Sequence, residues 1–263
     1  MKIGIIGLGM VGKAVQHGLT RIGHTVIPYD IRLPETSLRD IAGSDLAFIS
    51  VPTPSAPDGS CDTSIVETVV GELNGIGYRG LAVIKSTVEP GTTDRLAKEY
   101  PHLRLAFCPE FLREKASYSD FSEQHDICVI GAYNAEDYEM LKLAHDPLPA
   151  NYAHVTPLEA EFAKYFLNVF NALRIVFANQ FYDVTKAAGA DYQKVKNAMT
   201  KHRVIPSVYL DCNENFRGFG GACLPKDSSA FAYYGRKMLG PDSDLSLFEG
   251  IVEINKRYKQ TVL

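Results

Sequence analysis

Apolar and polar positions fall into two regimes along the chain. Up to about residue 150, short apolar runs at 3–6, 25–29, 46–51, 81–84, 104–107 and 127–130 alternate with amphipathic stretches such as 11–22 and 64–73. Runs of that length bounded by Gly, Pro and Asp read as strands, and the stretches with 3.6-residue spacing read as helices. Strands alternating with helices predict parallel βαβ units in an open, doubly wound sheet. Beyond residue 150 the pattern changes. Thr156-Pro157-Leu158-Glu159 combines a capping box with proline at the first helical position, and neither Pro nor Gly follows until Gly189. This predicts a helix over 157–188, about 32 residues or roughly 48 Å long at 1.5 Å per residue. Its apolar residues Phe162, Tyr165, Phe166, Val169, Phe170, Leu173, Val176, Phe177 and Phe181 extend around much of its surface. Such a helix is expected to be buried between domains or between subunits. The expected architecture is α/β: a Rossmann domain over 1–150, then an all-helical dimerisation domain over 151–263.

The turn after the first strand carries chemistry. Gly7-Leu8-Gly9-Met10-Val11-Gly12 fits GxGxxG between a strand and a helix, the context in which the pattern is informative. Gly7 permits the tight turn, Gly9 lets backbone approach a pyrophosphate, and Gly12 allows close helix–strand packing. Asp30 closes the second strand, placed to accept both ribose hydroxyls and to repel a 2′-phosphate, so NAD is expected over NADP. Arg32 nearby softens that preference.

Composition narrows the class. With 46% hydrophobic and 22% charged residues and a net charge of −4, the chain is an ordinary globular protein and a poor candidate for non-specific nucleic-acid binding. It opens directly on a strand-like run and has no apolar stretch long enough to span a bilayer, so a cytoplasmic protein with reduced thiols is expected. Cys61, Cys108, Cys128, Cys212 and Cys223 form no CxxC pair, and no metal site is expected.

One cysteine stands out by its surroundings. Gly218-Phe219-Gly220-Gly221-Ala222-Cys223-Leu224-Pro225-Lys226-Asp227 is rich in glycine and brings a cation and a carboxylate close to the thiol in sequence. A nearby cation favours the nucleophilic thiolate. Two other segments follow strands: 85–93, rich in small hydroxyl residues and including Thr87, and Pro109-Glu110-Phe111-Leu112-Arg113-Glu114, with two carboxylates. Ligands bind at such carboxyl ends in doubly wound sheets. On the long helix, Lys164 and Asn168 are four apart and share a face, which suggests a polar pocket in an apolar setting.

Together and in this order, these segments, with Val51-Pro52-Thr53-Pro54, Asp58-Gly59 and Asp62, resemble the UDP-glucose/GDP-mannose dehydrogenase family. The resemblance runs over essentially the whole chain. It implies oxidation of a nucleotide-sugar primary alcohol to a carboxylate with NAD through a covalent thioester, for polysaccharide biosynthesis. Cys223 would be the nucleophile, Lys164 the oxyanion cation, and Asn168 a hydrogen-bond donor to the same region. Asp227 would aid water activation, and Glu110 would serve as general base. Thr87 and Glu114 would line the junction of nicotinamide and substrate. Gly7, Gly9, Met10, Val11, Gly12, Asp30, Arg32, Pro52, Thr53 and Lys226 would contact the cofactor. Residues 110–114, which include Phe111, Leu112 and Arg113, would contact substrate together with Phe216 and Gly220. Arg203 would reach the sugar of a neighbouring subunit.

Family members continue past a segment like Ile254-Asn255-Lys256-Arg257 into a second, UDP-binding Rossmann-like domain, and this sequence ends at Leu263. Three explanations stand: a truncated chain, a short enzyme completed by its dimer partner or another chain, or a different alcohol substrate. A two-electron β-hydroxyacid dehydrogenase and a non-catalytic NAD or nucleotide-sugar sensor are the competing readings of function.

Overall fold

The computed structural model describes residues 1–258; the residues 259–263 assigned above to the second domain lie outside them. The chain divides into two compact units, Met1–Ala56 with Cys61–Lys164, and Pro57–Ser60 with Tyr165 onward.

The first unit is built on a seven-stranded sheet in the order β2-β1-β3-β4-β5-β6-β7. The strands are β1 (Lys2–Ile6), β2 (Thr25–Tyr29), β3 (Leu46–Ile49), β4 (Leu81–Ile84), β5 (Arg104–Phe107), β6 (Cys128–Gly131) and β7 (Tyr152–Val155). The helices are α1 (Met10–Arg21), α2 (Ser64–Gly75), α3 (Thr92–Glu99), α4 (Ser117–Ser122) and α5 (Ala135–His145), followed by the start of α6 (Pro157–Ala187). Residues of β3 and β4 are buried on both faces, which is why they read as continuous apolar runs rather than alternating ones. Two hydrophobic clusters form the core. One contains Ile3, Ile5, Val15, Leu19, Phe48 and Ile130, the other Ile6, Ile49, Val70, Leu73, Ile84 and Phe107.

β1 to β5 are parallel, as expected, but β6 pairs antiparallel to β5, and β7 runs parallel to β6. β7 had no counterpart in the pattern, because it is a four-residue edge strand with no fully buried position. Strand order reverses at β1, whose neighbours are β2 and β3. In sheets of this kind the crevice at the strands' carboxyl ends beside that reversal is where a ligand binds.

The described part of the second unit is helical: the remainder of α6, then α7 (Tyr192–Met199), α8 (Leu224–Leu239) and α9 (Ser246–Asn255). α6 has 31 residues, close to the expected length. Its own capping box holds: Glu159 accepts from the Thr156 backbone N–H and donates back its N–H to Thr156 Oγ1. Val169, Ala172 and Val176 pack with Phe219 and Ile251, while Tyr192, Leu210 and Cys212 form a smaller cluster. Among the described residues no helix is long and apolar enough to cross a membrane.

Candidate active site

The glycine turn divides its labour as the sequence suggests. Gly7 has φ +90°, and a Cβ there would lie 2.6 Å from the Ser50 carbonyl oxygen. A Cβ at Gly12 would fall 1.9 Å from the Gly7 carbonyl oxygen. Both glycines are therefore demanded by the protein's own packing. Gly9 is different: a Cβ there would meet nothing within 4 Å. Its bareness leaves room at the N-terminus of α1, where Gly9 is the cap, no side chain caps the helix and no acidic residue occupies the first turn. Unclaimed backbone N–H groups and the positive end of the helix dipole fit a phosphate group there.

Asp30 sits at the end of β2, buried, with Oδ2 accepting from the Leu8 N–H at 2.7 Å. The exposed Arg32 forks across the same carboxylate, Nε to Oδ1 at 2.8 Å and Nη2 to Oδ2 at 2.7 Å. These hydrogen bonds from Arg32, opposed by burial, hold Asp30 well below the usual carboxylate range. The carboxylate thus orders the glycine turn through Leu8, and a ribose bound there would share it with an exposed guanidinium. Asp30→Ala is expected to raise the KM for NAD by about 10- to 100-fold, the value of lost charge-assisted hydrogen bonds, and Arg32→Ala by far less. Initial-rate kinetics on both variants check this, and equal effects would contradict it.

At the carboxyl ends of β4 and β5 lies a buried charge pair. Lys85 Nζ is 2.5 Å from Glu110 Oε1, and it also donates to the Cys108 carbonyl oxygen at 3.0 Å. Burial works to lower the Lys85 ammonium, but the charges of Cys108 and Glu110 outweigh it and hold it above the usual lysine range. Lys164 Nζ donates to the Glu110 backbone oxygen at 2.6 Å and lies 5.7 Å from the centre of the Phe111 ring. Thr53 is buried and Pro52 exposed beyond β3, and the Thr87 carbonyl accepts from the Cys61 thiol. The Arg113 backbone and guanidinium are committed to Asp120, and Leu112 is half-buried beside the core. Glu114 is exposed and opens a short 3-10 turn.

Glu161, in the first turns of α6, takes a role not read from the sequence. Its carboxylate accepts from the Gly91 N–H at 2.5 Å, the Thr93 N–H at 2.8 Å and Thr93 Oγ1 at 2.6 Å. It thereby caps α3, whose Gly91 cap has no side chain to do so. Burial pushes Glu161 up to about 7, against the lowering effect of these hydrogen bonds. An unfolded glutamate titrates near 4.3, so the native state holds the proton more tightly between the two values. The resulting stabilisation is complete below about pH 4.3 and is lost as pH rises through about 7. The unfolding midpoint is expected to fall by several degrees between pH 5 and 8 through this group, about 3 kcal/mol at most. Glu161→Gln should remove that share of the slope, and thermal unfolding of both proteins across this range measures it.

In the second unit, Cys223 is partly exposed and stands at the N-cap of α8, with Pro225 in the first turn. The Cys223 carbonyl accepts the Asp227 N–H at 2.8 Å. Asp227 is fully buried. Its Oδ2 accepts from Asn168 Nδ2 at 2.5 Å, and its Oδ1 pairs with Lys226 Nζ at 2.6 Å. An aspartate in the first turn also suits the helix dipole. Two asparagines that the sequence did not single out fix the loop leading to Cys223. Asn179 Oδ1 accepts from Arg217 Nε and the Gly218 N–H, and Asn255 exchanges two hydrogen bonds with the Phe219 backbone. Both amides are buried among apolar residues of their helices, the same signal that pointed to Asn168. Phe216 is half-buried and bridged to Asn213, and Gly220 is half-buried between the anchored residues and Cys223. Arg203 lies exposed in the turn after α7. The candidate residues thus gather in two clusters: Lys85, Glu110, Phe111 and Lys164 in the first unit, Asn168, Cys223, Lys226 and Asp227 in the second.

A reversing, mostly parallel sheet with this glycine turn and an acid at the end of its second strand defines a dinucleotide-binding domain. The chain belongs to the UDP-glucose/GDP-mannose dehydrogenase family: residues 32–148 match its NAD binding domain and residues 158–257 its central domain. The glycine turn and Asp30 precede the first matched stretch and rest on the geometry above. A UDP-glucose dehydrogenase from Pyrobaculum islandicum is 30% identical with a TM-score of 0.87, covering 97% of this chain and 68% of that one. A GDP-mannose 6-dehydrogenase of Pseudomonas putida is 30% identical over 89% of this chain, and the match spans 64% of that protein's length. The Mycobacterium tuberculosis 3-hydroxyisobutyrate dehydrogenase shares the fold, with a TM-score of 0.75 at 16% identity.

Proposed function

We propose that the protein is an NAD-dependent nucleotide-sugar dehydrogenase that oxidises a primary alcohol to a carboxylate in two steps through a thioester on Cys223. The observation that carries this reading is the Cys223 cap of α8, followed by a buried Asp227 held by Asn168 and Lys226. A two-electron dehydrogenase has no use for such a thiol.

Bound NAD supplies the acceptor for both hydrides, two equivalents per sugar. The first oxidation converts the alcohol to an aldehyde, with Glu110 taking the hydroxyl proton directly or through water. Cys223 Sγ, as thiolate, then adds to the aldehyde carbon, and the carbonyl electron pair moves onto oxygen. Lys164 and one N–H of the Asn168 amide stabilise that oxyanion, while the other N–H of the amide holds Asp227. Loss of the second hydride leaves the thioester. Water activated by Asp227 and Glu110 attacks the thioester, the C–S bond breaks, and the thiolate returns with release of the carboxylate. In this reading Lys226, Thr53, Met10 and Val11 serve the cofactor, and Phe216 and Gly220 serve the sugar. Counting NADH formed per sugar consumed, over a panel of UDP- and GDP-sugars, is the decisive test. Two supports the proposal, one points to a two-electron enzyme, and none points to a sensor.

The protein is a homodimer through α6 in this reading. Phe166 is 74%, Val184 68% and Phe177 54% exposed on that helix, an apolar face too extensive to leave in water. Arg203 would then serve the sugar of the partner subunit. Light scattering at micromolar concentration is expected to give twice the chain mass, and Phe166→Glu with Phe177→Glu to give a monomer. A monomeric wild type would refute the dimer.

A further inference from the structure

Behind the Lys85–Glu110 pair, on the core side of the first unit, lies a cluster that the proposed chemistry does not use. Cys108 follows β5, Cys128 opens β6 and His145 ends α5; all three are fully or almost fully buried. The two sulfurs are 3.6 Å apart, and a ring nitrogen of His145 completes a set of three donor atoms all within 4.8 Å of one another. Two thiolates on one tetrahedral zinc ion, each at about 2.3 Å, sit roughly 3.8 Å apart. The spacing of the two sulfurs therefore needs almost no adjustment to hold a metal.

The histidine supplies the second observation. Its Nδ1 is 2.8 Å from the Leu141 carbonyl oxygen, while Nε2 is buried with no hydrogen-bond partner. An N–H at Nδ1 satisfies that carbonyl contact and, in the neutral imidazole that binds metals, leaves the lone pair on Nε2. A backbone carbonyl behind a ligating imidazole is the arrangement that fixes its tautomer and orientation in metal sites. Charge supports the same reading. The Lys85 ammonium lies 3.4 Å from Cys108 Sγ and favours the ionised sulfur. Two thiolates and the Glu110 carboxylate carry three negative charges, and Lys85 with a divalent ion carries three positive ones. His125, whose Nδ1 is also buried without a partner, packs beside this cluster, its ring 6.2 Å from that of His145.

We propose that Cys108, Cys128 and His145 form a binding site for a thiophilic divalent cation of the zinc class, which ties β5, β6 and α5 together beneath Glu110. No bond of a substrate is made or broken there. The site is structural and independent of how Cys223 works.

Full-length protein, stripped with a chelator and kept reduced without oxygen, is titrated with Co(II) alone. One equivalent is expected to bind, with a near-ultraviolet thiolate-to-cobalt charge-transfer band and the visible bands of a tetrahedral site, both bleached by Zn(II). Cys128→Ser should remove at least about half of the charge-transfer intensity, and Cys223→Ser should leave it intact. A wild type without that band, or a band lost with Cys223→Ser and kept with Cys128→Ser, overturns the proposal. A second measurement needs no core variant. Zinc should slow alkylation of Cys108 and Cys128 in partial denaturant by about tenfold or more, and more than it slows that of Cys61 and Cys212. Equal rates with and without zinc, or equal slowing of all four thiols, overturn it as well.

Discussion

Cys223→Ser is expected to lower steady-state NADH production by about a thousandfold or more while leaving the first oxidation competent. The distinction follows from where the thiol acts. The alcohol-to-aldehyde step needs a base and a hydride acceptor, and no sulfur. The second step requires a hydrate or a covalent adduct as hydride donor, and the serine hydroxyl is a far weaker nucleophile near neutral pH than a thiolate. Rapid-quench measurement should therefore show one equivalent of NADH per site and retained aldehyde, followed by near arrest. A variant that turns over at the wild-type rate would place the nucleophile elsewhere.

Lys85→Met is expected to cost about 3–5 kcal/mol of stability, the usual penalty for leaving half of a buried ion pair. Both members of the Lys85–Glu110 pair are almost completely buried. Without the ammonium, Glu110 must keep an uncompensated charge or take a proton. Lys85→Met combined with Glu110→Gln should recover most of the loss, because a neutral pair pays no such desolvation cost. Denaturant unfolding of the two variants and of Glu110→Gln alone closes the cycle. A single variant within about 1 kcal/mol of wild type would mean that water reaches the pair.

These two residues mark how unevenly the sequence reveals its fold and site. The strands of the parallel half were legible because each is a short apolar run with a turn or loop residue close to one end, and β3 and β4 are continuous because every position is buried. The long helix was legible because its start carries a complete capping box and its length is uninterrupted. β7 was not, since Tyr152, Ala153, His154 and Val155 are all partly or largely exposed and carry no periodic signal. The antiparallel step between β5 and β6 was hidden for a different reason: strand direction depends on the connection, and the β5–β6 connection holds only the short turn at 114–116 and α4. Among chemical groups, those marked by local context could be singled out, including the glycine turn, Asp30 and the loop around Cys223. The partners that cross long stretches of chain were not. Nothing beside Lys85 in sequence says that it will be buried against Glu110, and nothing beside Glu161 says that it will cap a helix starting near residue 92. Asn179 and Asn255 could have been suspected, as Asn168 was, because a buried amide on an apolar helix must find partners.

The Glu161 cap has a consequence for anyone who would cut the protein apart. A fragment ending near residue 150, where composition changes, would discard the carboxylate that satisfies Gly91 and Thr93 and leave the start of α3 with bare donors. The smallest piece that retains the nucleotide-binding unit whole must carry the opening turns of α6 through Lys164, a helix begun for one unit and finished for the other.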